Sequence, residues 1–159
     1  MSLRLVRVDD RLIHGQVVAV WLRAIGADRI VIVDDKTAHD EFLREVLLLA
    51  APRGAPVEVY DVAEGASRVI ELAASSDAVF VLMRTPITAL RLREAGATFG
   101  VLNVGGLGAG PGRRPFYKNI SATEEELMAM RTLEAMGTKV ELRIVADDRP
   151  VAFASVGKR

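Results

Sequence analysis

The chain contains two histidines, and one of them, His14, stands in the stretch DDRLIHGQV, Asp9 to Val17. The residues around it are types that handle phosphoryl groups. An unprotonated imidazole nitrogen is available near neutral pH, so His14 is a candidate nucleophile or acid–base group. Arg11 carries a permanent charge on a planar fork of donors that matches phosphate oxygens. Gly15 follows the histidine and opens a run with helical spacing, which would bring helix-start N–H groups and the positive end of the helix dipole beside the ring. Asp9 or Asp10 is placed to orient the arginine or the imidazole. Phosphoryl transfer asks mainly for positioning and for neutralisation of the equatorial oxygens. One short loop thus holds a nucleophile, a cation and an anion-binding backbone. A competing reading makes His14 a structural hydrogen-bonder, since R-x-x-H-G is not a general motif.

The elements that must position this loop follow from periodicity. Leu3–Asp9 alternates apolar and polar residues and reads as a strand, and Val17, Val18, Trp21, Leu22 and Ile25 share one face of a helix that Gly26 ends. Arg29–Val33 is a second strand, a helix follows over Phe42–Ala50, and Val57–Tyr60 is a third strand. Asp61 with Glu64 caps the next helix in the manner of a capping box. Asp77–Met83 is a buried strand, and Thr85-Pro86 starts a helix that closes at Gly96. Thr98–Val104 is a fifth strand, 105–119 a glycine-dense loop, Thr123 and Glu126 a second capping box, and Lys139–Val145 a sixth strand. The tail, Pro150–Val156, adds a short edge strand.

Strands alternating with helices predict an α/β fold with an open, mainly parallel twisted sheet of about six or seven strands and helices on both faces. In such sheets ligands bind beyond the carboxyl ends of the strands, where the strand order reverses, and His14 lies at such an end. Thr85 would face it if the first and fourth strands are neighbours, although plain helix capping accounts for Thr85 as well. Asp34-Asp35 reads as a loop leading into a helix before it reads as a Mg²⁺ or acid–base pair. His39 reads as a surface residue at a helix start, and the scattered acids lack metal-ligand spacing. The loop at 105–119 matches neither G-x-G-x-x-G nor the P-loop, so nucleotide binding has little support.

Composition narrows the classes further. The chain has 159 residues, is half apolar, and balances 21 Lys+Arg against 21 Asp+Glu, which argues against a nucleic-acid partner. With no cysteine it has neither disulfides nor thiolate sites. The expectation is one domain spanning 1–159, cytoplasmic, with no signal or membrane segment and with a homodimer left open.

The segment VRVDDRLIHGQVVAVW, residues 6 to 21, resembles the active-site segment of IIB components of the mannose–fructose–sorbose family of sugar phosphotransferase systems. IVIVDD, the RTP after the fourth strand, LNVGG at 102–106 and LRIVADDRPV are similar to that family's segments in the same order. The resemblance implies a phosphocarrier that takes a phosphoryl group from a phosphohistidine on a IIA partner and passes it to a sugar entering through membrane IIC and IID subunits. It makes His14 the acceptor, phosphorylated on Nδ1, with Arg11 as the stabilising cation. Asp10, Gly15, Gln16 and Thr85 are then the expected phosphate-binding set, and no metal or organic cofactor is required. LGAGPG after NVGG departs from the polar or charged residues usual there, with Arg113, Arg114 and Lys118 as possible replacements. A phosphorylatable regulatory module and a small-molecule enzyme using His14 as a base are the alternatives.

Overall fold

The computed structural model describes residues 2–156. In chain order the elements are β1 (Leu3–Asp9), α1 (Gly15–Ile25), β2 (Arg29–Val33), α2 (Asp35–Ala38), α3 (Glu41–Leu49), β3 (Val57–Tyr60), α4 (Val62–Ala73), β4 (Val79–Met83) and α5 (Pro86–Glu94). Then come β5 (Val101–Gly106), β6 (Arg114–Tyr117), β7 (Ile120–Ala122), α6 (Glu124–Ala135), β8 (Lys139–Leu142), β9 (Val151–Ala152) and α7 (Phe153–Val156).

Seven strands form one sheet in the order β3-β2-β4-β1-β5-β8-β9, parallel throughout except for the final β8–β9 pair. The expected open, doubly covered α/β sheet is therefore present. Successive strand residues point to opposite faces, and each face has its own core. Val6, Val8, Val31, Val33, Val79, Val81 and Met83 pack under α4, α5 and α6. Ile30, Ile32, Phe80 and Leu82 pack under α1 and α3. The buried runs of β2 and β4 fit strands covered on both sides.

From β1 the chain runs through α1 to β2, out to β3 and back to β4; it then crosses β1 to reach β5. Connections on either side of β1 thus leave in opposite directions, and the carboxyl end of β1 borders the crevice they create. Each capped helix start supports this frame: Asp40, Asp61, Thr85 and Thr123 accept hydrogen bonds from the first turns of α3, α4, α5 and α6.

Several expectations need correcting. The loop at 105–119 contains β6, which pairs antiparallel with β7 in a separate hairpin. Pro115 hides it from pattern reading, because proline is compatible with a strand only where no ladder N–H is needed. The sixth strand stops at Leu142, and the tail strand is only Val151–Ala152 before the turn of α7. A short helix, α2, precedes the one expected from Phe42, and His39 caps its end instead of a helix start. On α3 only Leu47 is buried, while Phe42, Val46 and Leu49 face solvent.

A charge cluster ties the β3 edge to its neighbours. Glu58 accepts from Arg29 at 2.5 Å, from Arg68 Nε at 2.7 Å and from the Tyr60 hydroxyl at 2.6 Å. The hydrogen bond from Arg68 leads in holding the Glu58 carboxyl down at about 2, against the opposing effect of burial. A carboxyl lowered on folding adds stability above its unfolded value, and that stability is lost as pH falls through its folded value. Glu58→Gln should therefore destabilise the protein at pH 7 by about 1–2 kcal/mol in urea unfolding. The gap from the parent should close between about pH 4.5 and 2. A gap that stays constant across that range would refute the assignment.

Candidate active site

The last residue of β1, Asp9, is almost wholly buried. It accepts from Arg11 through Nε at 3.0 Å, Nη2 at 3.1 Å and the backbone N–H at 3.1 Å. Arg7 Nη2 approaches the same carboxylate at 3.6 Å. Burial pushes the Asp9 carboxyl up, but the hydrogen bonds and charge of Arg11, with Arg7 behind them, outweigh it and leave the group below its ordinary value. Asp9 is thus a fixed anion, and Arg11 is oriented through one edge of its fork with its side chain half exposed.

Arg7 is the deeper half of the arrangement. It donates to Asn103 Oδ1 at 2.5 Å, to the Arg143 carbonyl at 2.7 Å and to the Ile144 carbonyl at 2.9 Å, and its guanidinium lies 4.4 Å from the centre of the Trp21 ring. Burial draws it down to about 10, partly opposed by Asp9, so it keeps its charge at neutral pH. Sequence reading did not single out Arg7. The available signal was an arginine inside a strand whose sheet is covered on both faces, a place where a cation needs a partner.

Beyond Asp9 the chain turns tightly. Leu12 donates its N–H to the Asp9 carbonyl at 2.9 Å and takes a left-handed φ of 54°, a rare setting for a bulky residue. Its side chain is buried in the core beneath α1, which offsets the conformational cost. Gly15, at φ 51°, then lets the chain enter α1, with open space where a side chain would begin. His14 is the N-cap of α1 and makes no side-chain cap hydrogen bond. No acidic residue stands in that first turn. The His14 Nε2 is buried without a hydrogen-bond partner, 3.9 Å from Asp9 Oδ2, while the side chain as a whole is 30% exposed. Nδ1 is the ring nitrogen left with access to solvent.

The other expected site residues fall in different places. Gln16 is exposed on the first turn of α1. The Asp10 carboxylate accepts from Gly108 N–H at 3.0 Å and Arg113 Nη1 at 2.9 Å, tying the glycine-rich loop to the histidine loop. Strands β1 and β4 are neighbours, as the expectation for Thr85 required. Its hydroxyl, however, caps α5 and donates to Glu126 at 2.9 Å. Glu126 is buried and also holds Arg113 through both oxygens, at 3.1 and 3.2 Å. Arg113 is therefore an internal tie between Asp10 and Glu126. Asp34 accepts from Thr37 as the cap of α2, and Asp35 accepts from Val62 N–H and Arg91, so both carboxylates are structural.

The glycines of LNVGG owe their place to close packing. A Cβ on Gly105 would overlap the Arg143 carbonyl and the Arg7 guanidinium, and one on Gly106 would overlap the Asp9 carboxylate. A crevice of about 260 Å³ opens above them; Asp10, Arg11, Val17, Gly106 and Leu107 are on its walls, and His14 is not.

Fold and loop together define an α/β protein with an imidazole at a strand-to-helix switch point, beside a buried carboxylate and an oriented arginine. The family described as "PTS system sorbose subfamily IIB component" matches residues 3–158. The sorbose-specific EIIB component of Klebsiella pneumoniae is 36% identical over 151 residues, covering 95% of this chain and 92% of that protein. The mannose-specific EIIAB component of Escherichia coli is 33% identical over 148 residues, which is 93% of this chain and 46% of that longer protein. The crystal structure of the IIBSor domain of the Klebsiella pneumoniae sorbose permease superposes with a TM-score of 0.90 at 35% identity, over 98% of this chain and 95% of that one. The chain belongs to the sorbose subfamily of IIB components, phosphotransferase subunits of the sugar phosphotransferase system. Components of this kind work with IIA and membrane partners. Among the described residues no helix is long and apolar enough to cross a membrane.

Because Gly106 abuts Asp9, Gly106→Ala should displace the carboxylate and cost about 1–3 kcal/mol in stability. Gly108→Ala, whose Cβ would stand 3.8 Å from Asp10, should leave the melting temperature within a degree or two of the parent. Thermal unfolding of the pair checks this, and equal losses would contradict it.

Proposed function

We propose that His14 is the phosphoryl acceptor of this IIB component and that residues 1–159 act as one phosphocarrier domain. The group comes from a phosphohistidine of a IIA partner and leaves to a sugar hydroxyl presented by membrane IIC and IID subunits. The protein itself works in the cytoplasm and meets the membrane only through those subunits. The observation that carries the reading is the division of labour in the His14 ring. Nε2 is buried toward Asp9, and Nδ1 is left to react.

The chemistry balances without a cofactor. The neutral tautomer that keeps the Nδ1 lone pair free carries its proton on Nε2. Nδ1 attacks phosphorus, the P–N bond of the donor breaks, and its electron pair returns to the donor imidazole. The His14 ring gains positive charge, and its Nε2–H faces the Asp9 carboxylate at 3.9 Å. Arg11, held by Asp9 through Nε and Nη2, keeps Nη1 for the phosphoryl oxygens. The N–H groups of Gly15 and Gln16 at the uncapped start of α1 add a positive end near the group. Transfer onward reverses the sequence, with the sugar oxygen as nucleophile. The relatives above are named for sorbose and for mannose at similar identity, 36% and 33%, so the likeness selects no sugar.

Incubation with phosphorylated IIA should label the parent protein in an acid-labile, alkali-stable form that maps to His14. His14→Ala should take no label. Asp9→Asn should accept about tenfold or more slowly, since it loses the anion that orients Arg11 and faces Nε2. Label on His14→Ala would overturn the proposal.

A further inference from the structure

We infer that Arg84 is a second cation for the phosphoryl group, closing on it from the end of β4 once His14 is charged; this rests on the reading of His14 given above. The argument begins with the oxygens. A transferred phosphoryl group presents three equatorial oxygens, and Arg11 has only the outer edge of its fork to offer, because Asp9 occupies Nε and Nη2. The other cations around the crevice are committed. Arg7 is buried on Asn103 and two carbonyls. Arg113 is held by Asp10 and by both oxygens of Glu126. Arg143, whose buried Nε also lacks a partner, donates from Nη2 to the Ala146 carbonyl and has its guanidinium 5.1 Å from the centre of the Trp21 ring. The glycine-rich rim from Gly105 to Gly112 carries no charged side chain.

Arg84 differs from these. It follows β4 directly, and β4 pairs with β1 in register Val8 to Met83, so Arg84 emerges beside the start of the histidine loop. Parity puts it on the side of Phe80 and Leu82, the face that α1 covers and to whose start His14 belongs. Its guanidinium reaches that loop, donating from Nη1 to the Asp10 carbonyl at 3.2 Å. Its ion pair with Asp34 is long, at 3.4 Å, and its buried Nε has no hydrogen-bond partner. Asp34 is already occupied as the cap of α2 by Thr37 N–H and hydroxyl. The Arg84 side chain is 40% exposed. A guanidinium anchored by one long hydrogen bond and one loose ion pair, at the lip of the loop, can re-aim toward a dianion at small cost. The gain is a pair of charge-assisted hydrogen bonds that exist only when the phosphoryl group is present.

The test uses the full chain, phosphorylated IIA and the variants Arg84→Gln and Arg84→Lys. Arg84→Gln should accept the phosphoryl group about tenfold more slowly with an unchanged melting temperature. A neighbouring cation also favours the dianion, so the phosphate pKa of phospho-His14, read by ³¹P NMR, should rise by about half a unit or more in Arg84→Gln. Arg84→Lys, which keeps the charge, should stay near the parent in phosphate pKa. A purely structural Arg84 would leave that pKa unmoved. Arg84→Gln with parental rate and phosphate pKa, while His14→Ala takes no label, overturns this inference and leaves the acceptor assignment standing. Label on His14→Ala overturns the assignment beneath it. If Arg84→Gln loses its melting transition, the parent protein decides: the Arg84 guanidinium ¹⁵N–¹H signals should shift when His14 is phosphorylated, and signals that stay unmoved on phosphorylation overturn the inference.

Discussion

The carboxylate of Asp9 is the constraint on which the site depends. A lone ionised carboxyl taken out of water costs several kcal/mol, and its burial is tolerated only with charges and donors around it. Arg7 and Arg11 supply them. Arg7 is itself buried and would be equally costly without Asn103, the carbonyls that follow β8, and the Trp21 ring. These groups interlock, so that each is tolerated only because the others are present. They also join β1, α1, β5 and the segment after β8, which gives the end of the sheet a single rigid arrangement. The glycines of β5 follow from the same packing, because side chains there would occupy the space of Arg7 and Asp9.

That rigidity is what the histidine loop needs. A left-handed leucine and a left-handed glycine within four residues would make a mobile segment if nothing held them. Leu12 is held by burial under α1, and the loop ends are held by Asp9 and by the hydrogen bond from Asp10 N–H to the Gly106 carbonyl at 2.7 Å. His14 is thereby set at the start of a helix whose first turn no side chain caps, with one nitrogen turned in and the other out. The inward nitrogen, Nε2, makes no hydrogen bond and faces the Asp9 carboxylate at 3.9 Å, so Asp9 acts on the ring by its charge.

Much of this was legible in the sequence, and the boundary has physical reasons. His14, Arg11 and Gly15 stand within five residues, so local spacing sufficed to group them. The alternation of strands and helices points to the sheet, whereas the neighbouring of β1 and β4 enters the sequence reading only as a condition on Thr85 and is settled by the strand pairing. Spacing does not choose between Asp9 and Asp10, because one residue of strand parity decides it. Asp9 ends β1 facing Arg7, and Asp10 falls past the strand, where it meets Arg113, a residue 103 positions away. Arg7 depends on partners as distant as Asn103 and the Arg143 carbonyl, and Glu126 on Thr85 and Arg113, 41 and 13 positions away. Glu126 was readable as the far member of a capping box. Its hold on Arg113 and Thr85 needs three elements brought together in space. The β6 strand escapes pattern reading because Pro115 and the glycines before it outweigh any alternation in a segment of four residues.

The glycine-rich rim gains a meaning from the charge pairs around it. Arg113, the basic residue nearest that rim in sequence terms, is turned inward onto Asp10 and Glu126, and Arg11 is paired with Asp9. Arg11 and Arg113 are therefore already matched by carboxylates before a phosphoryl group arrives, and Arg84 only loosely so. A site of unmatched arginines would bind a phosphoryl dianion tightly and release it slowly. A carrier that must accept the group and give it away works better when its cations exchange one anion for another with little net change in free energy. On this account the neutral rim is no defect in the site, because a further unpaired charge there would deepen the phosphorylated state and raise the barrier to the second transfer.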